Sequence, residues 1–124
     1  MRVKKILAIT GIRSEFDILH PVLTEFQKDS NYDVSVLVSG AHLSQFHGYT
    51  LKTIENSGFR IADKIDNLLS TDRTVQRAKG TGLLTYAISQ TVERENPDFL
   101  IYVGDREEGI AAAIVANYMD VRLI

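Results

Sequence analysis

Three glycine-containing segments carry the polar side chains in this sequence that are best placed to do chemistry. TGIRSEF (residues 10–16), SGAH (39–42) and GDREE (104–108) each follow an aliphatic run that is typical of a buried strand. Glycine lets the chain turn sharply, or approach a ligand closely, where a strand ends. We therefore predict that the three loops meet at one end of a sheet and form one site for an anionic ligand.

Arg13 is the residue of the first segment that best suits an anion. Its guanidinium can bind a phosphate or carboxylate with paired hydrogen bonds, and the start of the next helix adds free N–H groups. The alternative is that Arg13 pairs with Glu15 or Asp17 and only shapes the turn. The segment lacks the spaced glycines of a dinucleotide-binding loop and the Lys-Ser/Thr pair of a phosphate-binding loop.

The third segment places three carboxylates and an arginine after a strand. Crowded carboxylates raise one another's pKa, which prepares one of them to exchange a proton near neutral pH. Glu107 and Glu108 equally suit the first turn of a helix, where acidic side chains are favoured. Asp105 suits that explanation less well because it directly follows Gly104, so it is the stronger candidate for acid–base chemistry.

Histidine is a weaker signal in this chain. His42 follows the second strand, and a lone histidine in such a loop is more often structural, donating to a backbone carbonyl. Neither His20 nor His47 gives a pair with metal-ligand spacing and a supporting acid, so we predict no metal site and no cofactor. The arginine-containing stretch 71–77 suits either a lid over the site or a solvated helix start.

Strand and helix patterns alternate along the whole chain. Strands are predicted at 3–9, 33–38, 59–65, 98–103 and 121–124, and helices at about 17–28, 50–56, 73–95 and 110–119. This order predicts an α/β fold with a doubly wound, parallel, Rossmann-like sheet in the strand order 3-2-1-4-5. Ligands bind such sheets beyond the carboxyl ends of the strands, near strands one and four.

Several local features refine these boundaries. Pro21 cannot donate a backbone hydrogen bond, so the first helix is predicted to begin near residue 17, after a looser turn. Gly58 is predicted to stop the second helix in a left-handed conformation. Gly80 and Gly82 weaken the long helix and suggest a kink or a close contact. The more polar third strand suits a sheet edge, and residues 70–72 suit the N-cap of the long helix.

Composition excludes several classes of protein. The 124 residues suit one domain, and 44% hydrophobic with 24% charged residues is ordinary for a soluble protein. A net charge of −2 argues against nucleic-acid binding by bulk charge. The absence of cysteine excludes disulfides and thiolate metal sites and agrees with a cytoplasmic location. The apolar run behind the basic N-terminus is too short for a signal peptide or a membrane span, so no membrane association is expected.

Four groups of residues, spread over nearly the whole chain, form a combined pattern: TGIRSEF, SGAHLS followed by Gly48 and Thr50, Ser57-Gly58-Phe59, and PDFLIYVGDREE. In their order and spacing they resemble the UDP-N-acetylglucosamine 2-epimerases, most closely the hydrolysing branch that supplies N-acetylmannosamine for sialic-acid-type sugars. The non-hydrolysing branch tends to carry a proline after the arginine and a GD-T pattern after strand four, where this chain has Ser14 and Arg106.

The resemblance implies the N-terminal domain of a two-domain fold like that of the B-type glycosyltransferases. Residues 1–124 are then expected to form a single Rossmann-like domain of a longer protein whose C-terminal domain is absent here. The family removes the C2 proton of UDP-N-acetylglucosamine, expels UDP and adds water to the unsaturated sugar. We expect the full protein to be a homo-oligomer and this chain alone to be inactive.

The resemblance also implies roles for individual residues. Arg13 would meet the diphosphate, and Asp105 would be a catalytic carboxylate. Arg106 would bind the anion beside it, and His42 would act at the sugar pocket. The remaining candidates for substrate binding are Gly11, Gly104 and Glu107.

Other functions remain open from the residues alone. They are a non-hydrolysing epimerase, a stand-alone flavodoxin-like module that binds a nucleotide or another anion, and a non-catalytic regulatory or assembly domain. A receiver domain would need an acidic pair after strand one, where this chain has Gly-Ile-Arg, and a flavin module would need a loop rich in serine and threonine.

Overall fold

A computed structural model of the protein describes residues 2–43, 50–67, 73–104 and 106–124. Within these ranges, β-strands and α-helices alternate, with a short 3-10 helix at Gly40–Leu43 after the second strand. The strands are β1 (Lys4–Thr10), β2 (Tyr32–Ser39), β3 (Arg60–Ile65), β4 (Phe99–Tyr102) and β5 (Arg122–Leu123). The helices are α1 (Arg13–Gln27), α2 (Leu51–Glu55), α3 (Thr74–Glu95) and α4 (Glu107–Met119).

The strands form one parallel sheet in the order β3-β2-β1-β4-β5, which confirms the predicted fold class and strand order. Strand β3 lies at an edge, as its polar sequence predicts, and its pairing with β2 contains an irregularity opposite Val36 and Leu37. Because all strands run in the same direction, the loops after β1, β2 and β4 emerge at the same end of the sheet.

Alternate residues of the central strands point to opposite faces of the sheet and form two separate cores. Ile6 and Ala8 of β1 pack with the apolar residues of α1 and α2 on one face. Leu7 and Ile9 pack with those of α3 and α4 on the other face. The chain therefore changes faces between β1 and β4, which places a ligand crevice beyond the carboxyl ends of these two strands.

The first helix begins earlier than the sequence predicts. Helix α1 starts at Arg13 instead of residue 17, because the backbone N–H groups of Glu15 and Phe16 bond to the Ile12 carbonyl at 3.1 and 3.3 Å. Pro21 consequently lies inside the helix. It is on the exposed side, where water can hydrate the carbonyl group that proline leaves unpaired.

Helix α4 also begins before its predicted start, at Glu107 instead of residue 110. Glu107 and Glu108 occupy its first turn, where the sequence allowed them as helix-favouring acids. The loop after β4 is correspondingly short, which holds these two carboxylates close to the end of the sheet.

The glycine predictions have different outcomes. Gly58 has a φ of +87°, which confirms the left-handed stop after α2. A side chain at Gly80 would place its Cβ 2.5 Å from the Asn67 carbonyl oxygen, which confirms a close contact, whereas Gly82 has open space around it. Helix α3 is preceded by Arg73 without a side-chain cap, and the predicted N-cap residues 70–72 lie outside the described residues.

No helix in the described part of the chain combines the length and the apolar character that crossing a bilayer requires.

Candidate functional site

The loops after β1, β2 and β4 are joined by hydrogen bonds at one end of the sheet. The backbone N–H of His42 donates to the Gly11 carbonyl at 3.3 Å, which joins the loops after β2 and β1. The backbone N–H of Arg106 donates to the Tyr102 hydroxyl at 3.2 Å, and this hydroxyl donates to Glu15 Oε2 at 2.6 Å. The described parts of the three loops chosen from the sequence therefore meet at a common rim.

Glu15 joins the ends of β1 and β4 from inside the protein. Its side chain is buried, and its Oε1 accepts a hydrogen bond from the Gly11 N–H at 2.9 Å. Its Oε2 accepts the hydroxyl hydrogen of Tyr102. Burial and the adjacent Glu15 raise the pKa of Tyr102 above its usual value, so the hydroxyl remains a donor. Glu15 thus caps the turn and does not pair with Arg13.

Glu108 reaches under the same loops from the first turn of α4 and is 1% exposed. A Cβ built on Gly11 would lie 2.0 Å from Glu108 Oε1, and one built on Gly40 would lie 2.7 Å from the same atom. Burial and the charge of Glu15 raise the pKa of Glu108 above its usual value, although its own backbone N–H and Arg106 oppose the shift. The carboxyl group therefore fills the space that two missing side chains leave.

The two predicted anion-binding arginines differ in their surroundings. The Arg13 side chain is 67% exposed, and its Nε lies 3.8 Å from an Asp17 carboxylate oxygen. This pair is the one the sequence left open, but exposed pairs of this kind contribute at most about 1 kcal/mol. Arg106 is partly buried, with its Nε 3.8 Å from Glu108 Oε2. Arg13 is therefore mostly exposed to solvent, whereas the Nε of Arg106 is buried beside the Glu108 carboxyl group.

Glu107 lies between α3 and Arg106, since its Oε2 is 4.0 Å from Arg106 Nη2. Its Oε1 accepts a hydrogen bond from Arg77 Nε at 2.8 Å, and Arg77 Nη2 forms an ion pair with the same oxygen at 2.7 Å. Burial alone would raise the pKa of Glu107, but its own backbone N–H and Arg77 together hold the pKa below its usual range. A substrate contact of Glu107 stays a prediction, and it would have to compete with this ion pair.

His42 is fully buried, and both of its ring nitrogens face threonine hydroxyls. Nε2 lies 2.8 Å from Thr10 Oγ1, and Nδ1 lies 2.6 Å from Thr50 Oγ1. Burial lowers the pKa of His42 to about 4, so the ring is neutral at physiological pH. This geometry favours the structural alternative, with hydroxyls instead of a carbonyl as partners, and a role in catalysis stays a prediction.

Asp105 lies outside the described residues, so its catalytic role also stays a prediction. The residue before it, Gly104, has a φ of +120°, and a Cβ on Gly104 would lie 2.7 Å from Glu15 Oε2. Among the described residues, no three histidine, aspartate or glutamate side chains are grouped as a metal ion would require.

From the sequence, Glu15 was expected either to orient Arg13 or to cap the turn, and its hydrogen bond from the Gly11 N–H confirms the cap. Sequence reasoning missed Tyr102 and the burial of Glu108. Tyr102 is the polar-ended residue of an otherwise apolar strand, which could have indicated a partner at the strand end. Nothing local distinguishes Glu108 from Glu107, because only the fold decides which one is buried.

Comparison with known proteins agrees with this geometry. The sequence model described as UDP-N-acetylglucosamine 2-epimerase matches residues 24–124. The chain belongs to this family. The match begins after TGIRSEF, but the alignments with individual relatives cover 98–100% of the chain and thus include that segment.

The relatives include two hydrolysing enzymes. The chain is 30% identical to the UDP-N,N'-diacetylbacillosamine 2-epimerase (hydrolyzing) of Legionella pneumophila, over 98% of this chain and 32% of the relative. It is 33% identical to the GDP/UDP-N,N'-diacetylbacillosamine 2-epimerase (hydrolyzing) of Campylobacter jejuni, over 100% of this chain and 32% of the relative. The chain thus spans about a third of the length of these proteins.

A solved structure shares the fold. The UDP-GlcNAc 2-epimerase of Methanocaldococcus jannaschii, in complex with UDP-GlcNAc and UDP, superposes with a TM-score of 0.78 at 21% identity. The similarity covers 96% of this chain and 31% of that one.

Proposed function

We propose that the protein to which this chain belongs is a hydrolysing 2-epimerase that converts UDP-N-acetylglucosamine and water to N-acetylmannosamine and UDP. The chain forms the N-terminal Rossmann-like part of this enzyme. The observation that carries the proposal is the joining of the β1 and β4 exit loops at one rim, with Arg13 and Arg106 beside them, in a chain of this family.

The arrangement suits the expulsion of a nucleoside diphosphate. As the bond between sugar C1 and the diphosphate oxygen breaks, negative charge grows on the leaving group. In this proposal, Arg13, Arg106 and the N–H groups at the start of α1 would stabilise that charge where it develops. This stabilisation is strongest in the transition state, so it accelerates the reaction instead of only tightening binding.

Removal of the C2 proton needs a base within hydrogen-bond reach of the sugar. The family resemblance gives this role to Asp105, which follows the rigid end of β4. A carboxylate in that position can be held to the precision that proton transfer requires. Water then adds to the unsaturated sugar, and the products are the free epimerised sugar and UDP.

The sugar is the least constrained part of the proposal. UDP-N-acetylglucosamine is the substrate that the motifs imply, whereas the relatives from Legionella and Campylobacter are named for an N,N'-diacetylated sugar. Both substrates share the diphosphate and the 2-acetamido group, so the rim described above serves either one.

The test is to incubate the purified full-length protein separately with each UDP-sugar and to follow the products by NMR. Release of UDP together with a free 2-epimerised sugar supports the proposal and identifies the substrate. Formation of UDP-N-acetylmannosamine without release of UDP would instead identify a non-hydrolysing epimerase. Unchanged substrates would refute both.

Variants of the same protein test the residue assignments. Asp105→Asn is expected to abolish turnover, and Arg13→Gln is expected to lower kcat/KM at least tenfold. Arg60→Gln is the matched control, since Arg60 also forms an ion pair but lies at the start of β3, at the opposite end of the sheet. Equal losses for Arg13→Gln and Arg60→Gln would contradict the assignment.

Two expectations concern the protein as a whole. The 124 residues alone are expected not to release UDP, because the family binds its nucleotide sugar between two domains. The full-length protein is expected to be a homo-oligomer, which light scattering can measure.

A further inference from the structure

Glu108 is a buried carboxyl group to which the proposed function assigns no role. It is 1% exposed, although a glutamate in the first turn of a helix usually reaches solvent. Burial of a carboxyl group costs free energy unless a partner compensates for it. A glutamate buried in this way is a candidate for a functional role in addition to packing.

The outer carboxylate oxygen of Glu108, Oε2, faces the guanidinium of Arg106. Glu108 Oε2 and Arg106 Nε are both buried, and neither has a hydrogen-bond partner among the described residues. The two atoms lie 3.8 Å apart, so a shift of about 1 Å would make them a charge-assisted hydrogen bond. On the other side, Gly11 and Gly40 leave no room for the carboxyl group to retreat.

The Arg106 side chain is therefore buried at its Nε and exposed elsewhere. Its Nε is buried beside Glu108, yet 35% of the Arg106 side chain is exposed. The exposed area must therefore come from side-chain atoms other than Nε. Its Nη2 lies 4.0 Å from Glu107 Oε2, a carboxylate that is already paired with Arg77. With its Nε bonded to Glu108, the guanidinium would still present its terminal nitrogens to an anion.

We propose that Glu108 is a positioning residue that fixes the guanidinium of Arg106 for binding of the UDP diphosphate at the carboxyl ends of β1 and β4. This inference rests on the proposed function. Glu108 acts through Arg106 and does not touch the substrate. Pre-organisation of this kind improves binding because the flexible side chain no longer has to be ordered when the ligand arrives.

The test is a double-mutant cycle in the full-length protein, with Glu108→Gln and Arg106→Gln made singly and together. UDP binding is measured by calorimetry. Glu108→Gln keeps the size of the side chain but removes its charge, and it is expected to weaken UDP binding about tenfold. In the Arg106→Gln background, the same change is expected to alter the binding less than twofold, because the side chain it positions is gone.

Equal weakening in both backgrounds would show that Glu108 only supports the fold, and no weakening in the wild-type background would equally overturn the proposal. Glu95→Gln serves as the control, because it also removes a carboxylate that is ion-paired with an arginine but lies at the far end of α3. It is expected to leave UDP binding unchanged.

Two further measurements keep the outcome unambiguous. Glu108→Asp, which shortens the side chain by one methylene, replaces Glu108→Gln if the latter does not fold, and the same cycle applies. Failure of the wild-type protein to bind UDP would refute the proposed function and this inference with it. If the wild-type protein binds UDP but the losses of the two single variants simply add in the double variant, only this inference is refuted.

Discussion

Replacing Gly11 with alanine tests whether the buried carboxyl group of Glu108 really occupies the space beside that glycine. The new Cβ would lie 2.0 Å from Oε1, 2.3 Å from Cδ and 3.0 Å from Cγ of Glu108. The nearest of these contacts is about 1.5 Å shorter than van der Waals separation. Because Glu108 is 1% exposed and also abuts Gly40, the carboxyl group cannot swing into solvent.

The expected cost follows from two effects. Overfilling a packed interior costs about 1–3 kcal/mol. Displacement of the Gly11 N–H from Glu15 Oε1 would remove a hydrogen bond to a charged group, worth roughly another 1.5 kcal/mol. We therefore expect Gly11→Ala to lower the free energy of unfolding by about 2.5–4.5 kcal/mol, a large fraction of the total stability of a domain.

Urea unfolding followed by circular dichroism measures this change, and a second substitution makes the test specific. Glu108→Ala removes all three clashing atoms, so Gly11→Ala is expected to cost less than about 1 kcal/mol in that background. Gly82→Ala is the control: it meets no atom within 4 Å in the interior of α3, and we expect it to add about 1 kcal/mol through helix propensity. A Gly11→Ala protein as stable as the wild type, or equally destabilised in both backgrounds, would refute the reasoning.

Three further predictions concern stability. Burial lowers the pKa of His42 to about 4 in the folded state, so neutral His42 contributes fully to the free energy of unfolding above pH 6.5, and this contribution is lost as the pH falls toward 4. Urea unfolding across this pH range should show the free energy of unfolding fall by up to roughly 3 kcal/mol, and His42→Asn should abolish this fall. Tyr102→Phe is expected to cost about 1–3 kcal/mol in the same assay, since it leaves the buried Glu15 oxygen without its donor. Arg94→Gln, which removes the 2.7 Å hydrogen bond to the Ala62 carbonyl of β3, is expected to cost no more than about 1 kcal/mol, because Arg94 is half exposed.

The sheet could be predicted from the sequence because its signals are local. The aliphatic runs and the helical patterns between them specify alternating elements, and the handedness of crossover connections limits the possible strand orders. The polar composition of β3 was enough to place it at an edge. The start of α1 was missed because the rule for Pro21 was given more weight than the turn that Ile12 and Glu15 close ahead of it.

The interior of the site could not be predicted, because its partners come together only in the fold. Tyr102 and Glu15 are 87 positions apart, and their 2.6 Å hydrogen bond depends on β1 and β4 being neighbours. Glu107 and Glu108 are adjacent and chemically identical, yet one pairs with α3 while the other is buried beneath the strand ends. Which of two neighbouring glutamates turns inward depends on where the helix axis lies, and the sequence alone does not give that.

The glycines mark the site for two reasons. Gly40 and Gly104 have φ values of +59° and +120°, so they let the backbone turn as the sequence predicts. In addition, the space beside Gly11 and Gly40 is taken by Glu108, and that beside Gly104 by Glu15. Two buried carboxyl groups thus hold the exit loops of β1, β2 and β4 together from beneath. A buried carboxyl group costs free energy, and a side chain at any of these glycines would collide with Glu15 or Glu108. The buried glutamates can therefore keep their positions only while these three residues are glycine. The rim beside Arg13 and Arg106 is therefore supported by side chains of the protein itself.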